Sequence, residues 1–171
     1  MIAEEVKKNA IFRMQRSASR IATCFNFLDE QEIWKDFNPH LVSVGNLLLH
    51  VMGNITQHII SGLGNEPYTR QRDREFTDKP NLTKTQLLDQ FTATIAKAVR
   101  VIERLQAEDL SRMYWIQGHE YSGVGDIITV VEHLSYHVGQ ITWVVKYFKN
   151  VDVGYTAGVD LNQQNQPAYP R

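Results

Sequence analysis

His40, His50, His58, His119, His133 and His137 are the residues of this chain whose chemistry stands out. His133 and His137 form the informative pair, because residues four apart on an α-helix lie about 40° apart and can share one ion. With His133 set at 0°, steps of about 100° place Val130 near 60°, Leu134 near 100° and Val138 near 140°. Both imidazoles therefore border the apolar stripe of their helix, and Asp126, Thr129 and Gln140 fall on the same polar edge. An HxxxH spacing alone is common, so a metal reading needs a third ligand from another helix. His50 supplies it. It centres a polar stripe with Ser43, Asn46, Asn54 and Gln57, and the arc of Val44, Leu47, Leu48, Val51, Met52 and Ile55 begins about 60° away. His58, turned about 80° from His50 toward that arc, is a reserve ligand. His40 and His119 fall in loops, where exposure or capping is expected.

Three neutral imidazoles without a carboxylate leave at least one position of an ion open, whereas structural zinc sites are closed by four protein ligands. Zn²⁺ suits such a site in tetrahedral geometry, and Ni²⁺, Fe²⁺ or Mn²⁺ suits it if waters complete six positions. A zincin protease is excluded, because it needs Glu directly after the first His. Here the run is His133-Leu134-Ser135-Tyr136-His137, and Glu132 points about 100° away from His133. Asn46, Asn54, Asp126, Tyr136 and Gln140 are candidates to contact the ligand rings or a substrate. Tyr136 serves equally well as a structural or interface residue.

Four long helical segments must position these groups. The first runs from about Ile2 to Leu28 with apolar residues at three- and four-residue steps. The second follows Asn38-Pro39 and extends from about Leu41 to Leu63, where Gly62 and Gly64 supply a stop. The third opens at Asn81 or Thr83 after Pro80, and the fourth spans about Val124 to Lys149. The segment Asn65 to Lys79 is longer than a connection between antiparallel neighbours needs, so it reads as a crossover at the bundle end. Its run YTRQRDREF reads as a solvated loop whose charges pair locally. The connection Ser111 to Gly123 has room for a strand-like turn. The expected fold is all-α: an antiparallel four-helix bundle over residues 1–150, followed by an irregular tail over 151–171 that Tyr155 and Tyr169 could pin.

Composition bounds the function. Among 171 residues, 18 are Lys or Arg and 19 are Asp or Glu, a formal net charge of −1 that argues against nucleic-acid binding. No apolar run reaches the roughly 18 residues of a membrane span, and the first residues lack a secretory signal pattern, so a cytoplasmic, soluble protein is expected. The single cysteine, Cys24, lies in an apolar stretch and reads as a buried, inert thiol.

The run VGNLLLHVMGN (44–54), the loop YTRQRDREF (68–76) and the run EHLSYHVGQI (132–141) together resemble the DinB-like family of small four-helix bundles. The resemblance extends from the first helix to about Lys149. It implies a triad with one His on the second helix and two on the fourth, which falls on His50, His133 and His137. It also implies a bound divalent metal, often zinc or nickel, and a homodimer. Thiol S-transferases using a low-molecular-weight thiol occur in that family beside members without an assigned activity. Two readings stay open at this level: a metal-dependent transferase acting with a small thiol or similar nucleophile, and a non-catalytic metal- or ligand-binding bundle. A further apolar strip on the second helix, Val42, Leu49 and Ile60, reads as a second buried side and a candidate dimer contact.

Overall fold

A computed structural model describes residues 2–162. Its frame is four long helices: α1 (Ile2–Phe27), α3 (Val44–Ile55, continued by a π-helical segment Thr56–Leu63), α5 (Lys84–Arg104) and α7 (Gly123–Lys149). Shorter elements fill the connections: α2 (Glu30–Ile33), α4 (Arg72–Thr77), α6 (Ala107–Ser111) and the hairpin β1 (Met113–Ile116) with β2 (His119–Ser122). α1 packs on α5 and α7, and α3 packs on the same two. The all-α bundle expected from the apolar periodicity is thus what the chain forms, with the four long helices where the sequence places them.

The helix starts are specified locally. Ser43 caps α3 by accepting from the Asn46 amide, and Ser122 caps α7 by accepting from the Gly125 amide. Thr83 and Gln86 form a reciprocal capping box at the start of α5. Asp29 and Glu32 do the same for α2, a single turn that the sequence reading did not anticipate. α3 begins three residues later than expected, because Ser43 and not Leu41 satisfies its first free amides.

Side-chain contacts fix the helix directions. Lys7, near the start of α1, donates to the carbonyls of Glu103 and Leu105 at the end of α5, so these helices run oppositely. His50 meets His133 while His58 meets Asp126, so α3 and α7 are antiparallel. Gly64, after α3, lies against Val101 near the end of α5, so α3 and α5 run the same way. The chain must therefore return along the length of α3 before α5 can begin. Asn65 to Lys79 does this, lying on the side of α3 and not across the bundle end. It is not an open solvated loop either: it contains α4 and sends two charged side chains inward.

The interior is continuous, with Met14, Ile21, Phe25, Leu48, Val51, Phe91, Ile102, Val130 and Ile141 all buried. Cys24 is buried too, its Sγ 3.0 Å from the Tyr155 hydroxyl. That hydroxyl also meets Thr142 Oγ1 at 2.8 Å and donates to the Arg20 carbonyl, so Tyr155 pins the start of the tail to α1 and α7. Tyr169 lies outside the described residues. The strip Val42, Leu49 and Ile60 is not an outer face: Ile60 is buried, and Val42 and Leu49 are half-buried against the chain's own core. No described helix is long and apolar enough to cross a membrane.

Candidate metal centre

α3 and α7 cross where their polar edges face each other, and the crossing brings three imidazoles together. His50 Nε2 lies 3.0 Å from His133 Nε2, and His137 Nε2 lies 3.1 Å from the same atom. One nitrogen from each ring falls within a 4.8 Å group. His50 and His137 are buried, and His133 is half-buried.

The outward nitrogens determine what the inward ones can do. His50 Nδ1 lies 2.9 Å from Glu75 Oε2, and His137 Nδ1 lies 2.6 Å from Gln140 Oε1. Both partners are acceptors and favour the proton on Nδ1, which turns the Nε2 lone pair toward the shared centre; Arg70 Nη2 also lies 3.2 Å from His50 Nδ1. His133 Nδ1 is buried and finds no partner among the described residues. Burial, with His137 and His50 beside it, pushes His133 down to about 3, and burial also lowers His137. Neutral imidazoles with converging lone pairs are the ligand form, so the donor set fits a divalent transition ion.

Glu75 belongs to a network that the sequence reading missed. Arg70 grips its carboxylate at two points, Nε to Oε1 and Nη2 to Oε2, each at 2.7 Å. Arg70 also donates to Gln57 Oε1 at 3.0 Å and to the His50 carbonyl at 3.3 Å. Burial alone would raise the Glu75 carboxyl, but the hydrogen bonds from Arg70 and His50 outweigh it and hold the group below its ordinary value. The pairing within YTRQRDREF was legible; its insertion against the His50 ring was not.

The remaining expected contacts divide. Gln140 orients His137 and donates to the Tyr136 hydroxyl at 3.1 Å. Tyr136 itself is exposed beside the His137 ring. Asn46 turns away from the triad and ties down the crossover, its Nδ2 donating to the Glu75 carbonyl at 3.0 Å and the Asp78 carbonyl at 2.8 Å. Asp126 pairs instead with His58, Oδ1 to Nδ1 at 2.6 Å, so the reserve ligand and this carboxylate form a separate buried pair. Asn54 lies one turn beyond His50, buried, with Oδ1 unpartnered. His40 and His119 are exposed, as expected, but His119 opens strand β2 and does not lie in a loop.

A cleft of about 920 Å³ opens on the triad. Phe37, Leu47, Phe76 and Trp143 give it apolar walls, Arg72 stands on its rim, and among the described residues no carboxylate lines it.

Over residues 1–156 the sequence matches the family described as "Protein of unknown function (DUF1572)". The chain belongs to this family. Its fold is DinB-like. A crystal structure of a DinB-like protein from Bacillus cereus aligns with a TM-score of 0.67 at 16% identity, covering 88% of this chain and 94% of that one. A DinB-like protein from Bacillus subtilis aligns at 0.64 and 13% identity, covering 86% and 94%. A conserved protein from Enterococcus faecalis aligns at 0.65 and 14%, covering 84% and 97%. No curated protein matches the chain significantly. This DUF1572 member thus presents a three-histidine group able to hold an ion on a DinB-like bundle.

Proposed function

We propose that this chain binds one divalent transition ion through His50, His133 and His137 and acts as a metal-dependent transferase of a small thiol or similar nucleophile. The observation that carries this reading is the convergence of three Nε2 atoms at the floor of an open cleft. Three protein ligands leave room for an exogenous one, and an ion so held lowers the pKa of a bound thiol. The chain's own residues supply the rest. Phe37, Phe76 and Trp143 exclude water from an apolar substrate body, and Arg72 offers a positive charge to an anionic group on it. Zinc or nickel is the first choice of ion, and iron or manganese fits the same donors. A homodimer is part of the proposal, supported by the exposed Ile128 and Tyr147 of α7. So is a cytoplasmic location, where a chain with one buried cysteine has no disulfide to form. The bundle, residues 1–150, is taken as the functional domain, and none of residues 151–162 lines the cleft.

Elemental analysis of protein purified without chelator or affinity tag tests this directly. About one transition ion per chain is expected, with loss of the ion and of thiol transfer in His137→Ala. A metal-free wild type that takes up none on titration removes the metal reading. A metal-loaded wild type without turnover across thiol and electrophile panels leaves the non-catalytic binding bundle.

A further inference from the structure

We propose that Glu75 is a positioning residue for His50, and that through it the ion and the crossover segment order one another. The inference rests on the metal reading above. Glu75 Oε2 offers His50 Nδ1 an acceptor and so favours the proton there, and Arg70, whose Nη2 lies 3.2 Å from that nitrogen, fixes Glu75 through both carboxylate oxygens. Arg70 is only 4% exposed at its side chain and Glu75 11%, an ion pair sunk against a helix that carries a ligand. Three further contacts on the same helix hold the pair in place: Arg70 with Gln57, Arg70 with the His50 carbonyl, and Asn46 with the Glu75 carbonyl.

The backbone of α3 makes room for this arrangement at one residue. A Cβ at Gly53 would overlap the Glu75 carboxylate and come within 3.1 Å of Arg70 Nε. α4, meanwhile, has no buried residue of its own to hold it on the bundle. Its attachment depends on Arg70, Glu75 and Asn46, and on Phe76, whose ring centroid lies 4.6 Å from that of His50. Arg72 sits over Phe76 at 4.9 Å. One wall of the cleft, Phe76 with Arg72, is therefore carried by a segment anchored to a ligand ring. An ion that demands one tautomer and one orientation of His50 favours the state in which Glu75 is docked. By linkage, a docked Glu75 raises affinity for the ion.

The test is a chelator-competition titration of Zn²⁺ and Ni²⁺ on the full chain, with hydrogen exchange of residues 65–83 measured with and without ion. Glu75→Ala should weaken affinity roughly 10- to 100-fold. Glu75→Gln, which keeps an acceptor for His50 Nδ1 but loses the charge, should fall between it and wild type. Gly53→Ala, which displaces the carboxylate without altering any charged group, should weaken binding as well and serves if Glu75→Ala does not fold. In wild type the ion should slow exchange across 65–83, and in Glu75→Ala it should not. A purely structural role would lower thermal stability while leaving the ion's affinity unmoved. Folded Glu75→Ala and Gly53→Ala chains within twofold of wild-type affinity overturn the inference and leave the metal reading standing. A wild type that binds no ion overturns both.

Discussion

Asp126 and His58 show what a face angle leaves undetermined. Asp126 shares the polar edge of α7 with His133 but lies seven residues, or about 10 Å, up the helix axis. Its partner is His58, and their side chains are 0% and 3% exposed. Asp126→Ala would leave the His58 Nδ1 proton buried without an acceptor, at a cost of roughly 1–3 kcal/mol. Neither residue touches a ring of the triad. The variant should therefore lose stability in urea titration while keeping its affinity for the ion within a few-fold. A folded Asp126→Ala chain that binds the ion ten times more weakly would return Asp126 to the ligand environment. The triad itself was legible because an i,i+4 pair and a stripe boundary are local quantities. Asn46 was not, because its partners are the carbonyls of Glu75 and Asp78, in a segment whose path the sequence does not state.

The same division holds for elements. Periodicity recovers α1, α3, α5 and α7 because each buries a long apolar stripe, and caps such as Ser43 and Thr83 mark where three of them begin or can be corrected to begin. α4 gives no such signal, since it buries no apolar stripe. The π winding of Thr56–Leu63 is equally silent in the sequence. The strand-like turn for which Ser111 to Gly123 had room is the β1–β2 hairpin, turning at Gln117-Gly118, both at positive φ. α7 carries a feature that the isolated chain leaves unused: Ile128 and Tyr147 are 57% and 70% exposed on it, outside the cleft that Trp143 lines. Such a pair on one helix is what a second copy would cover. Sedimentation equilibrium should give about two chains' mass for wild type and one for Ile128→Glu/Tyr147→Glu. A wild type sedimenting at 19.7 kDa would remove the dimer.

At the scale of the whole molecule, the triad joins two helices that run oppositely and enter the bundle by different routes. His50 comes from the helix before the crossover, and His133 and His137 come from the last helix, so an ion held by all three cross-links chain segments about 80 residues apart. The unfolded chain cannot present that geometry, and binding is therefore linked to folding. At an ion concentration 100 times the Kd, the linkage contributes about 2.7 kcal/mol. For a domain of this size, each kcal/mol moves the midpoint by about 2–4 °C, so saturating Zn²⁺ or Ni²⁺ should raise Tm by roughly 5–11 °C. His137→Ala should abolish that rise. Asp126→Ala, although less stable at the start, should keep it, because its loss lies outside the linkage. Differential scanning calorimetry of the three chains, each after chelation and after reloading, separates the two effects. An unchanged Tm on reloading the wild type would mean that the three imidazoles converge without holding an ion tightly enough to matter to the fold.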